Sequence, residues 1–523
     1  MVAKTVESVR EIPVESVRAQ PAAGPDALFV VVCLVAVSVR YLLLTAPGAP
    51  SGIDGGNWLS LGLSLIGHPV RSSSIVYPPV IPLVVTAAVN LLGAVRGIAL
   101  VASVSSILPA VGAYVVLRPI RLGFSAVVLA ALLVPLAATG EATAWGGYPQ
   151  LAATGFAILA LHALDHHLRA PTRRGALTCG LALALVLATS HFVGTIVALA
   201  SGILVALHWV LSRRDGESSA GWRSWRLGAV ALPCLPFVPL YAALGHAMRG
   251  GFQSRPSALR VTIGSLAANI DFAYRDVRIL WRPLIVFAFL TPFVAGAVRR
   301  QSLWTIPTSL LAAMSLMLAT TGEPRCLYLL PPIAVLTGGF WLDAIRRVPS
   351  TSAQKGYRLV AVVLTAGLAV SSVSGFHLFA DQRDYYNILS PGVVDGIDWL
   401  RAQTPEKATV AVAALEDAPL GWWVEGLGHR RALSGSPLQW LYLADERARA
   451  RAVNGIFESD FPDDTALDRA RRAGADYLFV AKASDGFVLE RADAFFSGHQ
   501  DIVAFENDEV FILTVPGALV TGA

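Results

Sequence analysis

Charge is scarce in this chain of 523 residues: Asp, Glu, Lys and Arg make up 15%, against 54% hydrophobic residues and a mean hydropathy of +0.58. An ordinary soluble protein carries about a quarter charged residues, so the composition excludes a wholly soluble chain and points to a bilayer. Cysteine is nearly absent as well. Cys33, Cys179, Cys234 and Cys326 all lie in apolar runs, which excludes a disulfide framework or a CxxC metal site. The C-terminal segment 379–523 has no Gly-rich phosphate loop, and the chain has no internal repeat. Its net charge of +5 comes from short basic clusters between apolar runs, the pattern of membrane-protein loops and not of a nucleic-acid surface. The polar first 26 residues precede an apolar run without a convincing cleavage site, so a retained first helix is expected.

What is present is a series of apolar runs. A helix needs about 20 such residues to cross the hydrocarbon core. Runs of roughly that length occupy 27–46, 97–117, 123–139, 148–164, 227–246, 283–298, 302–321, 326–342 and 359–378. The uncharged stretch 175–211 is long enough for two helices divided near Ser190-His191. The sum is about eleven spans. One further run, 75–94, decides the topology. If it spans, the basic clusters fall on both sides. If it lies along the outer surface within a long first loop (47–96), then the N-terminal tail, 118–122, 165–174, 212–226, 299–301 and 343–358 share one side. Those segments hold nearly all the tight Arg/Lys clusters, so they are read as cytoplasmic.

The expected architecture is therefore a polytopic α-helical membrane protein with a C-terminal soluble α/β domain. Residues 1–26 form a cytoplasmic tail, 27–378 the transmembrane domain and 379–523 the extracytoplasmic domain. In that last segment the pattern predicts helix 391–403, strand 408–414, helices 438–453 and 464–472, strand 475–481 and a hairpin near 501–514. The outer loop 247–282 breaks the charge rule with Arg249, Arg255, Arg260, Arg275, Arg278 and Arg282. Basic residues there suit an anionic partner, although long loops also obey the rule weakly.

Ionisable residues at one membrane face are functional candidates. Asp54, among small residues after the first span, is either a reactive carboxylate or a helix N-cap. Glu141 is the one charge in a short outer loop, 140–150, whose Trp145 and Tyr148 suit a membrane interface. Glu323 and Arg325 lie at the mouth of a later span, and His191 lies at the 190–191 turn. His162, Asp165, His166 and His167 have helical spacing but sit at a helix end beside Arg169, and are read as interfacial rather than metal-binding.

An acidic residue after the first span, a long outer loop with two surface helices (the second from Tyr77-Pro-Pro79 onward) and an outer C-terminal domain together resemble the GT-C superfamily of membrane glycosyltransferases. The segment Gly396–Pro405, then Gly421-Trp-Trp-Val-Glu-Gly426 and Arg430–Leu433, is similar to the oligosaccharyltransferase catalytic subunit and related bacterial membrane proteins. Val424 stands where that family has the aspartate of its WWD motif, and Glu425 follows. The resemblance implies inverting transfer of a sugar from a polyprenyl-phosphate-linked donor to a glycan, lipid or protein acceptor on the extracytoplasmic face. It implies Asp54 as general base with Glu141 in support, or both holding a divalent cation (Mg or Mn). Arg255, Arg260 and Arg325 would then meet the donor phosphate, and Trp422, Trp423, Glu425 and Tyr148 the acceptor. His191, Glu323 and Tyr77 complete the candidates, and membrane lipids surround the spans.

Two other classes stay open. A transporter or lipid-linked glycan flippase would place polar groups near the midplane at broken helices, whereas here they gather at one face. A non-catalytic scaffold of the same fold would tolerate loss of both Asp54 and Glu141.

Overall fold

The computed structural model describes residues 23–517 apart from 69, 73–76, 121, 135–136, 215–223, 253–303, 322, 348–350, 414–417, 438–440, 442, 458–460 and 484–488. Arg255, Arg260, most of the 247–282 loop and the expected span 283–298 lie outside the described residues.

The membrane region comprises α1 (Ala23–Thr45), α2 (Gly55–Leu65), α3 (Val80–Leu92), α4 (Ala94–Leu117), α5 (Phe124–Ala131), α6 (Ala137–Trp145), α7 (Tyr148–Arg169), α8 (Arg173–Thr189), α9 (His191–Arg214), α10 (Ser224–Ala231), α11 (Val238–Phe252), α12 (Thr305–Thr321), α13 (Leu330–Arg346) and α14 (Thr351–Tyr386). Among the described residues, five helical segments are long and apolar enough to cross a membrane: Gly24–Thr45, Ala94–Ile120, His191–Ser212, Leu227–Gly245 and Arg325–Arg346.

Proline explains two departures from the apolar runs. The run 123–139 divides into α5 and α6, and its sequence carries between them Pro135, a residue type that lacks the amide donor and disfavours helix at the preceding residue. Consequently Glu141 lies on a helix and not in a loop, with the chain turning only at Gly146-Gly147. In 227–246, Pro233 and Pro236 tighten the middle into a 3-10 turn over Leu232–Phe237. The break in 175–211 falls at Ser190, whose extended backbone separates α8 from α9. The run 75–94 yields α3, only 13 residues; at 1.5 Å per residue it covers about 20 Å, short of a hydrocarbon core of about 30 Å. It packs on α2 and α4.

Helix α14 continues to Tyr386, past the expected boundary at 378. Beyond it come α15 (Pro391–Gln403), β1 (Thr409–Val412), α16 (Leu420–Gly426), β2 (Arg431–Ala432), α17 (Ala444–Ile456), α18 (Asp464–Ala473), β3 (Tyr477–Ala481), α19 (Leu489–Gly498), β4 (Val503–Glu506) and β5 (Val510–Thr514). The sheet order is β2-β1-β3-β5-β4, with β1 parallel to both neighbours and the β3–β5–β4 pairings antiparallel. Local signals set the helix ends. Ser390 precedes Pro391 and accepts from the Val393 amide, and Asp463 accepts from the Ala466 amide at 2.6 Å.

Alternation along the strands sorts side chains into two cores, as a period of two requires. Ala411, Leu478, Val480, Phe511 and Leu513 pack under α17 to α19. Val410, Val412, Phe479, Ala481 and Ile512 face the other way, into one apolar cluster with Trp423, Trp58, Leu59, Tyr77 and Ile98. The sheet is thus seated on the first loop, and that seam positions the candidate site.

Candidate active site at the first loop

Asp54 occupies the N-cap position of α2, yet its carboxylate accepts no capping hydrogen bond. The loop is held by other means. The Asp54 amide donates to the Trp145 carbonyl at 2.9 Å, and Trp58 Nε1 donates to the Gly146 carbonyl at 2.7 Å. Gly146 has φ +105°, and a Cβ there would lie 2.8 Å from that of Asp54, so only glycine permits this approach. The buried Tyr148 hydroxyl, beside Gly52, has no hydrogen-bond partner. Burial pushes the Asp54 carboxyl up to about 7, and the Arg325 guanidinium pulls partly the other way.

The chain brings several predicted residues around this carboxylate. Tyr77 stacks between Trp58 (ring centroids 4.8 Å) and the edge of His191 (4.9 Å). The Tyr77 phenol is raised by burial, and its hydroxyl has no hydrogen-bond partner. His191 opens α9, and its Nδ1 has no hydrogen-bond partner. Arg325 lies over Phe192 at 5.2 Å and forms a two-pronged ion pair with Glu323, at 2.8 and 3.1 Å. Its charge acts on both Asp54 and Tyr77. Asp54, Tyr77, Tyr148, His191, Arg325 and Glu323 therefore form one neighbourhood, built from the ends of α2, α3, α7 and α9 and the turn before α13.

Glu141 has other partners: it accepts from Tyr386 Oη at 3.1 Å, at the end of α14. Among the described residues, no three His, Cys, Asp or Glu side chains gather as a metal site.

The two tryptophans of α16 play different parts. Trp423 is fully buried, and its ring fills the space where a Cβ on Gly55 would stand, 2.6 Å away. A Cβ on Gly56 would lie 2.7 Å from the Trp423 amide nitrogen, so α16 rests directly on the Asp54 loop. Trp422 is half-buried, with its indole edge pressed on Gly435. Glu425 is completely buried; Oε1 accepts from the Ser72 amide at 2.7 Å, while Oε2 has no partner. Glu425 thus ties α16 to the first loop.

Sequence reasoning missed Arg71, whose Nη1 donates to Asn57 Oδ1 at 2.8 Å, and Glu446 and Arg449 of α17. Arg71 was findable, since Arg96 is the only other Lys or Arg in the loop 47–96. Arg40, buried within α1, was also missed: it donates to the Val134 carbonyl and lies 5.6 Å from the Phe379 ring centroid.

No protein-family model matches the sequence, and no curated protein matches it. Solved structures do match. ArnT from Cupriavidus metallidurans in the apo state superposes with a TM-score of 0.54 and 14% identity, over 94% of this chain and 98% of that one. The same protein bound to undecaprenyl phosphate gives 0.52 and 14%, over 96% and 100%. The Archaeoglobus fulgidus oligosaccharyltransferase in the apo form gives 0.51 and 14%, over 89% and 70%. Across nearly its whole length, the chain shares the fold of these solved structures.

Proposed function

We propose that the chain is a GT-C-type glycosyltransferase that moves a sugar from a polyprenyl-phosphate-linked donor to an acceptor at the extracytoplasmic face, with Asp54 as general base. The observation that carries this reading is the Asp54 carboxyl: uncommitted as a cap, lifted to about 7, and set beside a guanidinium. A base with its pKa near the working pH takes a proton most effectively. The ArnT structure holding undecaprenyl phosphate adds support for a lipid-phosphate donor.

In this reading the acceptor hydroxyl gives its proton to Asp54 as its oxygen attacks the anomeric carbon. The bond from that carbon to the phosphate oxygen breaks on the opposite face, inverting the centre and releasing the polyprenyl phosphate. Arg325 offsets the charge of the departing phosphate by exchanging its Glu323 partner for the phosphate oxygens, a geometry suited to its fork. Arg255 and Arg260 would act with it. If a divalent cation takes part, Asp54 has the more available carboxylate, since Glu141 is engaged by Tyr386. Trp422, half-buried, would face the acceptor, while the fully buried Tyr148 would support the Asp54 loop from behind.

Helix ends support the orientation in this reading. Asp26 at the start of α1 pairs with Arg118 at the end of α4, and Arg346 at the end of α13 donates to the Ile120 carbonyl. That basic end is assigned to the cytoplasm, with about eleven spans in all. The site residues cluster at the ends of helices and not within them, which favours surface chemistry over transport.

The test is transfer of labelled sugar from a panel of polyprenyl-phosphate sugars in membranes, comparing wild type with Asp54→Asn at equal expression. Transfer lost in the variant supports the reading. Equal transfer in both removes Asp54 as the base, and no transfer from any donor favours a scaffold or transporter.

A further inference from the structure

The seam between the first loop and the soluble domain carries charge that the proposed mechanism leaves unused. Ser72 gives both of its backbone groups to side chains of the soluble domain. Its amide donates to Glu425 Oε1 at 2.7 Å, and its carbonyl accepts from Arg449 Nη2 at 2.8 Å. Arg71, the residue before it, reaches α2 instead. Its Nη1 donates to Asn57 Oδ1 at 2.8 Å and to Ser60 Oγ at 3.1 Å. Asn57 lies in the first turn of that helix, for which Asp54 is the N-cap. Residues 71 and 72 therefore form a short link from α16 and α17 to the helix that Asp54 begins.

A guanidinium is costly in that place. The first turn of a helix carries the positive end of its dipole, so a cation beside it is disfavoured. Arg71 is offset there by the opposite charges of Glu425 and Glu446, both from the soluble domain. Glu425 is completely buried and Glu446 is 4% exposed, so water screens their attraction little. Glycines bring α16 and α2 close enough for this: a Cβ on Gly426 would lie 2.9 Å from the Gly56 carbonyl oxygen. The link acts through position and not through charge, because the Asp54 carboxyl responds to burial and to Arg325 but not to Arg71.

We propose that Arg71 is a positioning residue: held across the seam by the charge of Glu425, it fixes the first turn of α2 and so the direction of the Asp54 carboxylate. The proposal rests on the transferase reading and adds to it that the base is aimed only while the soluble domain is docked on the first loop.

The test is a double-variant cycle of Arg71→Met, Glu425→Gln and both together, with sugar transfer in membranes expressed per folded molecule. Each single variant is expected to lower kcat about tenfold and to leave the donor KM within about twofold, since orientation is lost and not affinity. The double variant is expected to match the worse single, because the two residues act as a unit. The rate profile keeps its midpoint of about 7 in all three. Should Arg71→Met fail to fold, Arg71→Lys takes its place in the cycle, with an expected loss of about threefold for want of the planar fork. Hydrogen exchange on the purified full chain in detergent reads the same link without turnover: the first amides of α2 should exchange about tenfold faster in each single variant, and no faster in the double. Unchanged kcat per folded molecule, additive losses or a displaced midpoint overturns the proposal. A chain that transfers no sugar from any donor, yet shows the coupled exchange, keeps the link and loses the transferase. A chain that transfers sugar with additive losses loses the link alone.

Discussion

The two ends of the helix bundle treat their acidic residues differently. At the basic end, carboxylates are saturated. Asp165 of α7 accepts from Arg169 at 2.9 and 3.1 Å and from Thr305 at 2.7 Å, with His208 Nε2 at 2.9 Å, joining α7, α9 and the start of α12. Asp343 pairs with Arg347 at 2.7 Å, and Asp26 accepts from Tyr114 at 2.6 Å. At the Asp54 end, by contrast, the Asp54 carboxylate caps nothing, Glu446 has no partner and Glu425 uses one oxygen of two. A buried carboxylate that is fully matched holds helices together, and one left unmatched is available to a substrate. The Glu323–Arg325 pair and Glu141, held by Tyr386, are exceptions at that end, and in the transferase reading Arg325 is the group that changes partner.

The comparison predicts its sharpest contrast in rate. Asp54→Asn lowers sugar transfer by about 10²–10⁴-fold, the usual contribution of a positioned base. A loss under threefold in a membrane transfer assay would make the free carboxylate incidental. The pH profile should follow. Because burial raises the Asp54 carboxyl to about 7, kcat/KM rises about tenfold per unit below that value and levels above it. A profile flat from pH 5 to 8 would assign the proton to another group.

The opposite end should respond in stability. Asp165→Asn leaves His208 and Thr305 buried around a weaker acceptor and costs about 2 kcal/mol, after discounting the partly exposed Arg169. Thermal melts should show the loss, while transfer per folded molecule stays within about twofold. A large fall in transfer at unchanged stability would mean that Asp165 couples to the site across the bundle.

How far this contrast could be read from sequence depends on range. Local signals were legible: the α15 limits, the break at Ser190 and the short helix after Tyr77-Pro-Pro79 follow from caps, prolines and run lengths. Asp54 stood out because its loop holds no other Asp or Glu. Glu446 gave no such signal, since Ala444–Ile456 reads as a solvated charged helix until Ser72, 374 residues earlier in the chain, covers it. Asp165 appeared interfacial because its partners His208 and Thr305 lie on distant helices. Glu141 was misplaced into a loop because the apolar run hid the division between α5 and α6. Pairings across hundreds of residues leave no periodicity to detect.

The smallest effect is also the most diagnostic. A carboxyl whose folded pKa of about 7 exceeds its ordinary 3.8 binds more proton in the folded chain than in the unfolded one between those values. Stability contributed by that group is therefore fully present below about 4 and is lost as pH rises through 7. Asp54→Asn removes the titration, so the variant should melt above wild type at pH 8, where the charged form is most penalised. At pH 4 the two should coincide. Allowing for the partial exposure of Asp54, the gain is about 1 kcal/mol, or roughly 2 °C, read as the difference between melts at the two pH values. A variant that is inactive yet more stable is the mark of a residue kept for chemistry. A variant that melts lower than wild type at pH 8 would return Asp54 to the structural class of Asp165, and the contrast between the two ends would fail at its central residue.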